Sequence, residues 1–150
     1  MDDAAQPPVF GASEPVSNKA IRFLAELGLR VNDLARMSAF YRDLVGLEVF
    51  SEGPGHVFFR VAEAVEGHPQ LIVLFDRDSK VDPATTTLDH LAFLIDVNDY
   101  ENEWRRLEGF GIDVFPKEFP QFHWRSLFFT DPEGNTVEFV AHDRSVGDSS

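Results

Sequence analysis

Two ionisable residues sit inside runs that otherwise read as apolar strand. His90 lies within Leu88-Asp89-His90-Leu91-Ala92-Phe93, and Glu138 within Thr136-Val137-Glu138-Phe139-Val140. Strand side chains alternate between faces, so His90 goes with Ala92 and Leu94, and Glu138 with Thr136 and Val140. A carboxylate among such neighbours is costly to bury unless something pairs with it. Glu26, just before Leu27-Gly28-Leu29, repeats the oddity earlier in the chain. These groups, with Glu138 foremost, offer the chemistry of ionisable side chains held in an apolar setting by a partner. His68 precedes another apolar run, where it is placed to swing toward a cleft as an acid or base. Each has a plainer reading beside the functional one. His90 fits a core histidine satisfied by a backbone carbonyl, Glu26 a glutamate facing water, and His68, between Gly67 and Pro69, an exposed loop residue.

The elements that must position these groups come in two copies. Gly46-Leu47-Glu48-Val49-Phe50 is echoed by Gly111-Ile112-Asp113-Val114-Phe115, a spacing of 111 − 46 = 65 residues. Repetition at such a period marks tandem modules, and paired modules generate a shared cleft. In the first copy Glu26–Val31 reads as a strand. Leu34, Met37, Phe40, Tyr41 and Leu44 then recur at helical spacing up to Val45. Asn32 or Asp33 is placed to cap that helix, and Gly46 to end it in the left-handed conformation. Leu47–Phe50, His56–Ala62 and Gln70–Phe75 follow as strands, with a turn over 51–55. The second copy gives a strand over Leu88–Asp96 and a helix capped by Asp99 and ended by Gly111. Strands follow over Ile112–Phe115, Trp124–Thr130 and Thr136–Ala141.

Glu26 and His90 are counterparts in the repeat, since 90 − 26 = 64. Hairpin register adds a lining. If Thr130 opposes Thr136, then Trp124, Ser126 and Phe128 share the face of Glu138, while His123 and Arg125 point away. Such a surface, aromatic with one hydroxyl, suits a planar or apolar organic molecule, although Trp124 and Phe128 also read as core. The predicted fold is α+β: two tandem βαβββ modules forming one curved mixed sheet around a cleft, with both helices packed outside. Residues 1–19 read as a flexible leader and 144–150 as a flexible tail. Between them, 20–143 reads as one domain with modules over about 22–80 and 85–143.

Composition narrows the partners. The 150 residues carry 13 basic against 26 acidic side chains, a net charge of −13. That sign opposes nucleic acid and anionic membranes, both of which attract cations. No cysteine is present, which excludes disulfides, thiolate metal sites and a cysteine nucleophile. No secretory signal opens the chain and no apolar run has membrane length, so a soluble cytoplasmic protein is expected.

Three stretches together resemble the glyoxalase/bleomycin-resistance/extradiol-dioxygenase group, the vicinal oxygen chelate superfamily, over about residues 22–143. They are Leu29–Leu34 leading to Phe40–Leu47, Asp89–Phe93, and Phe129–Glu138. The resemblance implies a cleft holding one divalent cation, with ligands from the first strand of each module and the last strand of one or both. Carried over, the ligand positions fall on Glu26, Val73, His90 and Glu138. Val73 cannot bind metal, and Glu26 stands where many members have histidine. One imidazole and two carboxylates suit Mn, Fe, Mg, Ni or Zn. Glyoxalase I-like isomerases use four ligands and extradiol dioxygenases two histidines and a carboxylate. Fosfomycin-type thiol transferases use three ligands at these positions. They also use a cationic pocket, which a −13 chain does not advertise.

The implied function is metal-dependent lyase, isomerase, dioxygenase or transferase chemistry on a small oxygenated, aromatic or apolar metabolite chelated through two oxygens. The resemblance also implies a homodimer, with a second copy completing the cleft. The competing reading is a metal-free protein that sequesters a planar or cationic drug-like molecule, as bleomycin-resistance proteins do.

Overall fold

Strand alternation dictates two sheets that share one core. The computed structural model describes residues 20–65, 67–78, 80, 82 and 88–147; the leader expected over 1–19, and 148–150 of the tail, lie outside the described residues. The first module runs β1 (Glu26–Val31), α1 (Leu34–Ala39) continuing as a π-helical turn (Phe40–Val45), β2 (Glu48–Gly53), β3 (His56–Val65) and β4 (His68–Asp76). The second runs β5 (His90–Leu94), a 3-10 turn (Val97–Asp99), α2 (Tyr100–Gly109), β6 (Phe115–Phe119), β7 (Trp124–Thr130) and β8 (Thr136–His142). Each module closes its own four-stranded sheet, in the orders β1-β4-β3-β2 and β5-β8-β7-β6. In both, the first strand lies parallel to the last and the other pairs are antiparallel. The expected curved surface is thus built from two sheets, with no ladder between them among the described residues.

Leu27, Leu29 and Val31 of β1, Ile72 and Leu74 of β4, Leu91 and Phe93 of β5, and Val137, Phe139 and Ala141 of β8 all enter one hydrophobic cluster. Both helices pack on the core-facing side of the sheets, through Met37, Tyr41 and Leu44 from the first and Tyr100 and Leu107 from the second. Asp33 caps α1 by accepting from the Arg36 amide at 3.0 Å, and Gly46, at φ 89°, ends the π turn in the left-handed region. Four of the six π-turn residues are buried. Phe40 meets Phe129 with ring centroids 6.3 Å apart, and the Tyr41 hydroxyl donates to Asp131 Oδ2 at 2.9 Å. Glu133, from the β7–β8 turn, accepts from the amides of Asn32 and Asp33 at 2.7–3.0 Å. The start of α1 is therefore tied to the opposite module.

Several boundaries differ from the sequence reading. A bulge between Val49 and Ser51 carries β2 on to Gly53, leaving only Pro54 and Gly55 as the turn. β6 begins at Phe115 rather than Ile112, because Ile112 and Val114 pack on the core without joining a ladder. Asp99 makes no side-chain cap; Asp96 instead accepts from the Asn98 amide at 2.9 Å and caps the 3-10 turn ahead of α2. The tail does not fray at once, since Asp143 accepts from the Ser145 amide and hydroxyl and Val146 is buried. No helix among the described residues is long and apolar enough to cross a membrane.

Candidate metal centre

Inward positions of the strands fill the core, so their alternates face away from it. On β1 these are Glu26, Gly28 and Arg30; on β5 they are His90, Ala92 and Leu94. Glu138 of β8 lies across the parallel ladder from Ala92 and across the antiparallel ladder from Phe128. Register therefore brings His90 and Glu138 together, with Nε2 and Oε2 3.5 Å apart. Ser126 Oγ donates to Glu138 Oε1 at 2.6 Å, and both side chains are buried. The His90 ring is fixed from behind, its Nδ1 2.6 Å from Asp89 Oδ2. The carboxylate can only accept, so Nδ1 carries the hydrogen and Nε2 faces Glu138.

Ser126 opposes Val140 and Trp124 opposes His142, the register read from the hairpin. Trp124 is 41% exposed and stacked on Phe122 at 4.7 Å, while Phe128 meets Phe119 at 6.4 Å. The outward face of the second sheet is thus aromatic around a buried carboxylate. The Phe122 stack and the Asp89 support were missed in the sequence. An Asp-His dipeptide at a strand start was the available signal for Asp89; nothing local marked Phe122.

The first module repeats the scheme with one substitution. Gly28 opposite Val73 takes the place of Ala92 opposite Glu138, so Val73 stands where a ligand would and is buried hydrocarbon. Glu26 instead meets His68, Oε1 to Nε2 at 3.5 Å, both side chains about half exposed. His68 Nδ1 is 2.6 Å from the Pro69 carbonyl oxygen, which again sets the hydrogen on Nδ1. Within one chain Glu26 does not join His90 and Glu138. Among the described residues no three His, Asp or Glu side chains gather as a metal-sized group. The cause is the topology: each pair sits on the outward face of its own sheet.

The donor chemistry fits a divalent ion. Neither imidazole–carboxylate pair makes a full hydrogen bond at 3.5 Å, since N–H···O bonds fall at about 2.7–3.2 Å. Adjacent ligand atoms about 2.0–2.2 Å from a cation stand roughly 3.0–3.4 Å apart. A cavity of about 950 Å³ between the modules is lined by Leu47, Val61, Phe93, Asp96 and Arg106 among others, and by none of the candidate ligands. Among the described residues that cavity gathers no metal-sized group of ligating side chains.

Comparison with known proteins agrees with this architecture. Residues 23–139 match the family model for the Glyoxalase/Bleomycin resistance protein/Dioxygenase superfamily. The chain is 26% identical over 136 residues to the metallothiol transferase FosB of Staphylococcus epidermidis, covering 85% of this chain and 88% of that protein. Among solved structures it is similar to the lactoylglutathione lyase from Agrobacterium tumefaciens, at 28% identity and a TM-score of 0.64, covering 82% of this chain and 96% of that one. It is also similar to TnmS3, an antibiotic binding protein from Streptomyces sp. CB03234, at 25% identity and a TM-score of 0.61, covering 83% and 98%.

Proposed function

Because the chain belongs to the glyoxalase/bleomycin resistance protein/dioxygenase superfamily, we propose that it is a divalent-metal-dependent enzyme acting on a small oxygenated, aromatic or apolar metabolite. The observation that supports this most is the pair on the second sheet. Glu138 is a buried carboxylate with one oxygen held by Ser126 and the other directed at the free nitrogen of His90. A buried carboxylate needs a charge partner, which a divalent cation held by Glu138 and His90 would supply. When bound, that cation, one of Mn, Fe, Ni, Zn or Mg, acts as a Lewis acid toward two adjacent substrate oxygens. His90 and Glu138 hold it; Ser126 fixes the carboxylate; Trp124 and Phe128 offer faces for the organic part of the substrate. Lyase, isomerase, dioxygenase and transferase chemistry all start from this chelation, and similarity to a metallothiol transferase favours the last.

In this reading the protein works as a cytoplasmic homodimer, and Glu26 reaches the centre from a second copy. The outward faces support that arrangement. Phe50 and Phe75 on the first sheet, and Leu94, Phe115 and Trp124 on the second, are 37–78% exposed. Apolar side chains exposed on both sheets are what a contact with a second copy would cover. A second reading, a metal-free binder of planar molecules, is favoured by the exposed Phe122–Trp124 stack. One measurement separates them: the divalent metal content of protein purified without chelators, beside Glu138→Ala. Near-stoichiometric metal lost in the variant is the expected result. No metal, even after incubation with Mn, Fe, Ni or Zn salts, would overturn the enzyme reading, and aromatic ligands would then be screened by thermal shift.

A further inference from the structure

We infer that His68 is a fourth metal ligand, supplied from the first residue of β4 in place of the one lost at Val73, so that each centre joins Glu26 and His68 of one copy to His90 and Glu138 of another. The inference rests on the metal-dependent reading above and goes beyond its three ligands.

Two observations carry it. The first is that the two pairs share one construction. In each, an acceptor 2.6 Å from Nδ1 sets the hydrogen on that nitrogen, the Pro69 carbonyl for His68 and the Asp89 carboxylate for His90. Such support from behind fixes ring orientation and tautomer in metal-binding histidines. In each, Nε2 then faces a glutamate oxygen at the same 3.5 Å, outside hydrogen-bonding range. A histidine serving only as a loop residue has no reason to reproduce this geometry on the opposite module.

The second is the way β4 begins. Its ladder with β3 slips between Arg60 and Ala62 and again between Ala62 and Val65 before His68 pairs with Val65. The extra residues stand in β3, so β4 runs unbroken from His68, and the His68 side chain meets Glu26 although Glu26 itself pairs with Leu71 farther along the strand. Val73, at the regular ligand position, is only 2% exposed and offers no donor atom. Two imidazoles and two carboxylates make a mixed nitrogen–oxygen set suited to a first-row divalent ion. This assigns His68 to ligation rather than to the acid–base role that its place in the sequence proposed.

The test counts imidazoles on the metal. Full-length protein is loaded with Cu(II) as a spectroscopic probe and examined by pulsed EPR, and Mn(II) affinity is measured by competition titration. His68→Asn keeps a donor for the Pro69 carbonyl and removes the Nε2 ligand. The parent should show two coupled imidazoles and the variant one. Mn(II) binding should weaken by at least the 10–100-fold typical of losing even a supporting group. Sedimentation should report the same oligomeric state for both, and His68→Gln, which guards against a local folding fault, should repeat the one-imidazole spectrum. One imidazole in the parent, or a count that His68→Asn leaves unchanged, would overturn the fourth ligand while leaving the three-ligand centre standing. Failure of the parent to bind either metal would overturn both.

Discussion

Ser126 shows how much of the candidate centre depends on a residue that touches no metal. It is fully buried, and its hydroxyl donates to Glu138 at 2.6 Å. A hydroxyl–carboxylate bond of that length is charge-assisted and stronger than a neutral one. Ser126→Ala leaves the buried carboxylate with one donor fewer. Two effects follow: metal affinity falls about 10–100-fold, and the apo protein loses about 1–3 kcal/mol. Mn(II) titration and urea unfolding read them separately; unchanged affinity would mean that Glu138 is oriented by something else. The sequence showed His90 and Glu138 because each interrupts an apolar strand, and it showed Ser126 because a tight hairpin fixes its own register. It did not show that Glu26 meets His68. That contact joins residues that are not ladder partners, since Glu26 pairs with Leu71, and strand periodicity carries no record of such a reach.

At the level of elements, the link between α1 and the β7–β8 turn sets how one module sits on the other. Burial, and then the charge of Asp131, push the Tyr41 hydroxyl far above its usual range, so it remains a donor at any pH the fold survives. Asp131 accepts from Tyr41 and from the amides of Glu133 and Asn135, while Glu133 caps the approach to α1. Tyr41→Phe should cost about 1–3 kcal/mol, toward the lower end because Asp131 keeps its other donors. Combined with Glu133→Ala, the loss should depart from additivity by about 0.5 kcal/mol or more, since both act through one turn. Thermal and urea denaturation of the two single variants and the double check this, and strict additivity would separate the two contacts. Element order and type were legible throughout, and β1 and β7 match the sequence reading to the residue. The π turn was not, because Leu34, Met37, Phe40, Tyr41 and Leu44 recur at a spacing that an ordinary helix satisfies equally well. Its wider form accompanies the reach of Tyr41 and Phe40 to the other module, which is tertiary information. The same holds for β6, whose start depends on pairing with Phe128 rather than on its own pattern.

The two imidazole–carboxylate pairs, Glu26–His68 and His90–Glu138, lie on separate sheets that the topology of one chain keeps apart. The inner faces of both sheets are consumed by a shared core, so neither can turn its outer face toward the other. In the homodimer proposed above, a twofold axis would set the first-module face of each copy against the second-module face of the other and so generate two identical centres. This makes a prediction that a centre confined to one chain does not. Glu26→Ala and Glu138→Ala each break both centres of a homodimer, and each variant alone should bind little Mn(II). A mixed dimer places the two defects in one centre and leaves the other intact. Random exchange of subunits makes half the dimers mixed, so tight binding should return to about one centre in four. The experiment is best run near physiological salt, where screening over about 8 Å limits repulsion between two chains of charge −13. Unfolding and refolding the variants together, then titrating Mn(II), measures the recovered fraction. Recovery near a quarter would place Glu26 and Glu138 of different copies on one ion; recovery of none, with mixed dimers demonstrated by mass, would return the centre to a single chain or abolish it.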